Sequence, residues 1–408
     1  MSALVAPDIT SSANWQTANL GDVVRFVGGG TPSKKQPDFW NGDIPWVSPK
    51  DMKSHIITNS IDRITPEAIN GSSAKSIPTG AVLIVVRSGI LSRTVPIALS
   101  GCNLTVNQDI KALVPKAVLS PRFLAYFLKS VESQLLASVS SSATVHRLST
   151  ETLKSLQIPL LPLDEQKRIV AALDEAFAAL DRARILTDGN LSNSQALYES
   201  VIENIFSVRS TWPSEDLSKR VRFLDYRGKT PPKCDNGIPL ITAKNVRLGF
   251  IKTEPEEFVE ENAYEKWMTR GFPEVGDVLF TTEAPLANVA QLQTPGKVVI
   301  GQRLITMQTD RDEIDPGFLK WSLLSPQMQA DIHSQATGAT VLGIKAKLLK
   351  KISLHVPASI ELQKEVAFGC ERAFANKVEL ERLYTSKLKD ISALRQSVLE
   401  RAFAGELN

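Results

Sequence analysis

Residues 158–169 read IPLLPLDEQKRI, and residues 354–366 read LHVPASIELQKEV. Each begins as an extended stretch punctuated by proline and ends in apolar spacing that suits a helix. Proline fixes φ and has no amide hydrogen to give, so Pro159 and Pro162 forbid an earlier helical start. Asp164 is the expected N-cap, with Glu165 in the first turn, where the helix dipole favours acid. The two stretches place Gln166-Lys167 over Gln363-Lys364, 197 positions apart. A junction built twice points to a duplicated chain.

The same offset, within a few residues, carries the rest of the sequence. VRFVGGGTPSKKQPDFWNGDIPWVSPKDMK from Val24 stands over VRFLDYRGKTPPKCDNGIPLITAKNVR from Val221. PTGAVLIVVRSG from Pro78 stands over PEVGDVLFTTEA from Pro273, and TVNQDIKALVP from Thr105 over VIGQRLITMQT from Val299. SPRFLAYFL from Ser120 matches DPGFLKWSL from Asp315, SSATVHRL from Ser141 matches TGATVLGI from Thr337, and ESVIENIF from Glu199 matches QSVLERAF from Gln396. Order and spacing are kept throughout, so the chain is a tandem repeat. The identities fall mainly at turns and apolar positions: the framework is shared and the surface side chains differ.

Each repeat has two parts. The first is strand-rich, with short apolar runs broken by Gly, Pro, Asn and Ser. Within it, residues 122–139 read as one helix, with Phe123, Phe127, Val131, Leu135 and Val139 on one face. The second part is a long helix. From Ile169 the seam runs Leu173, Ala176, Leu180, Ala183, then Leu197, Val201 and Ile205. In the second repeat Val366, Cys370, Ala373, Leu380, Leu383, Ile391, Leu394 and Val398 play that part. Gly189 costs about 1 kcal/mol against alanine in a helix, so a kink or hinge is expected in the stretch 187–194. The two stripes are expected to pair antiparallel; the alternative is that each packs on its own globular part. The fold class is therefore α/β in the α+β sense: two similar strand-rich domains, 1–160 and 208–356, with long coiled-coil-like helical segments at 161–207 and 357–408.

Composition sets outer bounds. With 43% hydrophobic and 22% charged residues the chain reads as a soluble globular protein long enough for two or three domains. A net charge of +3 neither announces nor excludes a nucleic-acid partner, because local patches matter more than the sum. Cys102, Cys234 and Cys370 are scattered and form no C-x-x-C, which fits a reducing, cytoplasmic setting. The first residues lack the basic and apolar regions of a signal peptide, and the aliphatic run 81–86 is too short to span a bilayer, so no membrane partner is expected.

Catalytic patterns are missing. YRGKT at 226–230 resembles the end of a P-loop, but the required glycine five residues before Gly228 is Phe223. Gly28, Gly29 and Gly30 precede Thr31-Pro32 and open no helix, so they form a turn. His55, His146, His333 and His355 have no metal spacing. TPPK at 230–233 is not the Asn/Asp-Pro-Pro-aromatic loop of amino-methyltransferases, and no glycine-rich S-adenosylmethionine loop follows an early strand. Glu283, after the strand VLFTT, is the nearest approach to a nuclease carboxylate and has Ala284 and Pro285 beside it.

Binding chemistry remains. Loops in the first repeat offer Thr31, Ser33, Lys34 and Lys35, then Ser48, Lys50 and Lys53, then Arg87, Ser88 and Arg93. Asn107 and Gln108 follow, and then Ser142, Thr144, His146 and Arg147. The second repeat offers Lys229, Thr230 and Lys233, then Lys244, Asn245 and Arg247, then Gln302 and Arg303, and finally Thr337, Thr340 and Lys345. Arg and Lys hold phosphates or read guanine, Asn and Gln pair with adenine, and hydroxyls fill in.

Three blocks carry a family resemblance. Residues 141–169, SSATVHRLSTETLKSLQIPLLPLDEQKRI, resemble the junction that ends a target recognition domain in specificity subunits of type I restriction–modification systems. GDVVRFVGGGTPSKKQPDFWNGDIPWVSPKDMK resembles the opening of such a domain, and LRQSVLERAFAGEL the close of the distal conserved helix. The second copy departs from the pattern, since VPASIELQKEV lacks the second proline and the acidic pair. The resemblance implies a non-catalytic subunit whose two target recognition domains each read one half of a bipartite, asymmetric double-stranded DNA target. It implies an approximate two-fold relation between the halves, and helices that space the readers and dock two methyltransferase subunits. Those partners would bring S-adenosylmethionine, and two restriction subunits would complete the nuclease. A helix from Asp164 to about Phe206 is ~65 Å long at 1.5 Å per residue, enough to separate two readers by one DNA turn, ~34 Å. Lengthening it after Leu180 is expected to change the gap between half-sites.

Two other readings compete. A self-contained methyltransferase would bind S-adenosylmethionine on this chain alone, and the absent cofactor loop counts against it. A structural coiled-coil protein would show no salt-sensitive affinity for duplex DNA.

Overall fold

The aliphatic run near residue 82 and its counterpart near residue 278 have no polar face, so both must be covered on two sides. They form the strands Val82–Val85 and Val278–Thr282, in which every residue is buried. The computed structural model describes residues 15–141, 146–226, 231–338 and 340–406. Contacts divide the chain into Met1–Leu186 with Lys387–Asn408, and Thr187–Ser386.

In the first unit a five-stranded sheet runs Val24–Gly28, Ile110–Pro115, Val82–Val85, Ile97–Ser100, Ile56–Ile57. A three-stranded sheet pairs Trp40–Val47 antiparallel with Asp62–Ile64 and parallel with Thr105–Val106. The second unit repeats this. Its four-stranded sheet runs Val221–Asp225, Leu304–Thr309, Val278–Thr282, Leu286–Gln291. Ile238–Ile241 again pairs antiparallel with one strand and parallel with Val299–Ile300. Both units thus hold a mixed three-stranded sheet beside a larger one, on one plan.

The junctions explain their own duplication. Gln166 is fully buried; its amide nitrogen donates to the carbonyls of Val118 (2.9 Å) and Leu161 (2.9 Å), and its oxygen accepts from the Ser120 amide (2.8 Å). Gln363 does the same with the carbonyls of Glu313 (3.0 Å) and Pro357 (3.0 Å) and the Asp315 amide (2.9 Å). Ser120 and Asp315 are the N-caps of the helices Pro121–Ser130 and Pro316–Leu324. Each glutamine therefore ties the start of a long helix to the start of a domain helix by pairing backbone groups of both. A second tie lies two turns on. Asp174 accepts from Arg122 (2.6 Å) and the Tyr126 hydroxyl (2.5 Å); at the matching place Glu371 accepts from Lys320 (2.6 Å) and the Trp321 indole (3.1 Å). Burial, and then the bond to Asp174, push the Tyr126 hydroxyl up to about 12.

The long helices are Leu163–Ile205 and Ile360–Phe403. In the first unit Ile169, Val170, Leu173 and Phe177 share one core with Leu399, Ala402 and Phe403 and with Phe123 and Phe127 of the domain. Arg395 lies over the Phe177 ring at 4.2 Å and bonds Asp181 (2.6 Å). In the second unit Tyr198 meets Phe374 (6.1 Å between rings), and Ile205 reaches the backbone at Gly369. In the second unit numbers rise on one helix as they fall on the other, so the pairing there is antiparallel. The two alternatives posed by the sequence both hold: each stripe pairs with the other helix and packs on a domain.

Several local expectations differ. The first helix starts two residues earlier than an Asp164 cap would give, because the Pro162 carbonyl accepts the Gln166 amide (3.0 Å); Asp164 sits inside the first turn and pairs with Lys167 (3.0 Å). The stretch 187–194 shows no break, and Gly189 faces open space. Residues 122–139 form two helices, Pro121–Ser130 and Glu132–Ala137, parted at Val131. The break lets the Glu132 carboxylate accept from the Thr94 hydroxyl (2.6 Å) and the Val95 amide (2.7 Å). Leu197, Leu383 and Leu394 are exposed rather than in the seam. Ser194 and Tyr198 take the inner face around Leu197, and Arg395, Val398 and Leu399 take it around Leu394. Among the described residues no helix is long and apolar enough to cross a membrane.

Candidate nucleic-acid interface

Antiparallel pairing puts the end of Val24–Gly28, the end of Val82–Val85 and the start of Ile110–Pro115 at one edge of the first unit's sheet. The loops leaving that edge are drawn together by close backbone approach. A side chain at Gly29 would overlap the carbonyls of Val106 and Asn107, and the Gly30 amide bonds Val106 (3.0 Å). The glycine turn is thus needed to seat Thr31, whose hydroxyl reaches Gln108 Oε1 (2.5 Å). Arg87 and Arg147 face each other across an antiparallel bridge, with the Ser88 amide bonded to the His146 carbonyl (3.1 Å). Asp109 Oδ1 lies 3.6 Å from Arg87 Nε. Thr31, Arg87, Gln108 and Arg147 are thereby brought to one edge. All four are exposed.

Asn107 is not available to a ligand. It is buried, and its side chain closes its own turn by accepting from the Asp109 amide (3.0 Å) and donating to the Asp109 carboxylate (3.0 Å). Lys34 and Lys35 project from the turn after Ser33, and Arg93 ends the short turn Gly89–Ser92, all exposed. Lys50 sits in a turn pinned by Asp51, which accepts from the amide and hydroxyl of Ser48 (both 2.8 Å). Lys53 lines a different cleft of about 300 Å³ with His55, Lys129 and Arg395. There burial, then Arg395, hold the Lys129 ammonium down to about 8. Ser142 and Thr144 lie outside the described residues.

The second unit builds the same edge. A cleft of about 410 Å³ is lined by Thr282, Glu283, Gln302, Arg303, Gly343 and Lys345, among others. Arg303, at φ +69°, bonds Glu283 through Nε (2.9 Å). Glu283 faces Gly343 across an antiparallel bridge, as Arg87 faces Arg147. Thr340 is exposed in the neighbouring turn. Lys244 is exposed beside Asn245, whose buried amide is spent inside its loop: its oxygen accepts from Thr242, and its nitrogen donates to the carbonyls of Lys252, Thr253 and Pro255. Arg247 is half-buried and bonds the Val246 carbonyl (3.0 Å), and Lys233 pairs with Glu257 (2.7 Å). Lys229 and Thr230 lie outside the described residues.

Asp109, beside the Arg87 guanidinium, escaped the sequence reading as a ligand-facing residue, and Glu283, weighed there as a nuclease carboxylate, is instead the ion-pair partner of Arg303. Lys111, whose Nζ lies against Gly28, escaped it too. In the matched strand pairs Arg87 falls at the place of Glu283 and Asp109 at that of Arg303, so both charges reverse; the aligned blocks read residue by residue put Arg87 over Thr282 and hide the first reversal. Among the described residues no group of three or more His, Cys, Asp or Glu could hold a metal. The chemistry on offer at both edges is hydrogen bonding: guanidinium, amide and hydroxyl groups with one carboxylate.

Comparison with known proteins gives the same direction. Residues 12–187 match the family described as the type I restriction modification DNA specificity domain. The specificity subunit of the Escherichia coli type I restriction enzyme EcoR124I/EcoR124II is 38% identical over 198 residues, covering 47% of this chain and 48% of that subunit. The chain thus spans about half the length of that curated relative. A solved chain from a study of complex assembly and conformational transition of the type I R-M system superimposes with a TM-score of 0.74 at 19% identity, covering 96% of this chain and 98% of that one. The HsdS subunit from Thermoanaerobacter tengcongensis gives 0.58 at 20% identity, covering 96% and 97%. At these identities the two structures speak for the fold.

Proposed function

We propose, from the premise that residues 12–187 belong to the type I restriction–modification DNA specificity domain family, that this chain is the DNA-recognition subunit of such a system. It works in a complex with DNA and other subunits. Residues 1–160 and 208–356 are the two target recognition domains, and each reads one half of a bipartite, asymmetric duplex target. Segments 161–207 and 357–408 are the spacers, which set the gap and dock two methyltransferase subunits. S-adenosylmethionine belongs to those subunits, two restriction subunits complete the nuclease, and the setting is cytoplasmic. This chain performs no chemistry of its own.

One observation carries the reading: the same converging loops occur in both units on matching backbone, but with different exposed side chains. A protein with two copies of one enzyme site would keep the reactive groups and vary elsewhere. Here the scaffold is kept and the ligand-facing groups vary, as two readers of unlike sequences require.

The test is co-expression with a type I methyltransferase subunit and mapping of methylated adenines. A two-part motif with a fixed gap is expected, and the chain alone should not bind S-adenosylmethionine. Cofactor binding by the isolated chain, or methylation at one contiguous motif, would refute the proposal.

A further inference from the structure

The two edges carry the same ion pair with its sign reversed. Val82–Val85 and Val278–Thr282 are equivalent strands, paired respectively with Ile110–Pro115 and Leu304–Thr309. The residues leaving them, Arg87 and Glu283, occupy the same bridge position, opposite Arg147 and Gly343. Asp109 and Arg303 each follow a glutamine, Gln108 or Gln302, and each precedes the return strand. So Arg87–Asp109 in the first unit becomes Glu283–Arg303 in the second.

Stability gives little reason to keep such a pair. The side chains are 46% and 24% exposed in the first unit, and 50% and 43% in the second. Pairs this open contribute about 0–1 kcal/mol. Drift at a solvated position would lose one member as readily as exchange both. In each unit the carboxylate lies on the Nε side of the guanidinium, 3.6 Å away in the first and 2.9 Å in the second. The two terminal amino groups then remain as the parallel donors that guanine O6 and N7 accept from. The carboxylate is an acceptor, and in the major groove an acceptor selects the amino group of cytosine. The surroundings sharpen the difference. Arg147 adds a second guanidinium beside Arg87, whereas its counterpart Gly343 adds none beside Glu283.

We propose that Arg87–Asp109 and Glu283–Arg303 are the specificity-determining pairs of the two units, and that their reversal makes the half-targets unlike. Arg87, oriented by Asp109, reads a guanine in one half. Glu283, oriented by Arg303, reads a cytosine amino group in the other. This rests on the function proposed above and adds the residues and base classes.

The test uses the full chain and a randomised duplex library, with bound sequences read out for wild type and variants. Arg87→Gln should flatten the preference at one base pair of one half-target, and Glu283→Gln at one base pair of the other. Each good base contact is worth about 1–3 kcal/mol, so the loss of discrimination should be ~5–150-fold at that position alone. The exchange Arg87→Glu with Asp109→Arg keeps an ion pair and should change the preferred base at that position. Affinity for a non-cognate duplex at low salt reports that each variant is folded. If wild type shows base preferences and all three variants keep them unchanged, the inference falls and the proposed function stands. An even loss of affinity across all sequences makes the pairs phosphate contacts or scaffold and also overturns the inference. If wild type shows no base preference, the proposed function itself fails.

Discussion

Replacing Gln166 with leucine isolates the role of the junction. The substitution keeps the side chain's size and removes its three hydrogen bonds, to the carbonyls of Val118 and Leu161 and from the Ser120 amide. Gln166 is fully buried and its three partners sit at a part-buried junction. A buried backbone group left unpaired costs about 1–3 kcal/mol, and partial relaxation brings the total for three to about 3–5 kcal/mol. Gln166→Glu should be no milder at neutral pH, because a carboxylate cannot donate to the two carbonyls. The assay is urea unfolding combined with amide hydrogen exchange. The Ser120 amide should lose protection first, since its acceptor is gone. Gln363→Leu should repeat the effect at the Asp315 amide, and the two losses should add, because the residues share no partner. A loss under about 1 kcal/mol with the Ser120 amide still protected would show that the glutamine is a passenger.

Two further outcomes follow from the core and from burial. Phe403 packs on Phe123 (5.1 Å between rings) and Phe127 (5.6 Å). Phe403→Ala should cost about 3–5 kcal/mol, and faster exchange should appear in the strand Val82–Val85 while the strand Val278–Thr282 is unchanged; equal loosening of both would refute the assignment. Lys129 is held down to about 8 in the folded chain against 10.5 when unfolded. Between those values the unfolded chain binds more protons, so this group makes stability rise with pH through that window. Lys129→Met should flatten the rise in urea midpoint between pH 8 and 10.5, and an unaltered slope would show that burial does not hold the ammonium down.

The repeat and its framework were legible because turns and buried strands leave few alternatives. The run at 81–86 can only be a covered strand, and Pro159 and Pro162 fix where the helix starts. The aligned Gln166 and Gln363 could be seen but not explained, because the carbonyls they satisfy are remote in sequence. Periodicity misled at residues 122–139, where the helix parts at Val131 and the break leaves Glu132 free to accept from Thr94 and Val95, partners remote in sequence. Asn107 looked like a base reader by type, yet its amide is spent on Asp109. The paired reversal of Arg87 with Asp109 was hidden for a different cause. Each position, compared alone, looks like a mismatch, and only the geometry shows that the two mismatches compensate.

The first unit's core includes Leu399, Ala402 and Phe403. Those side chains leave the ribosome only after residues 187–386, the whole of the second unit, have been made. At about 5–20 residues per second that delay is on the order of 10–40 s. Throughout it, Phe123 and Phe127 of the nascent chain lack the ring that covers them. The first-made domain is thus the last to close, and during that interval its aromatic slot is open to any chaperone, or to the same helix of a neighbouring polypeptide.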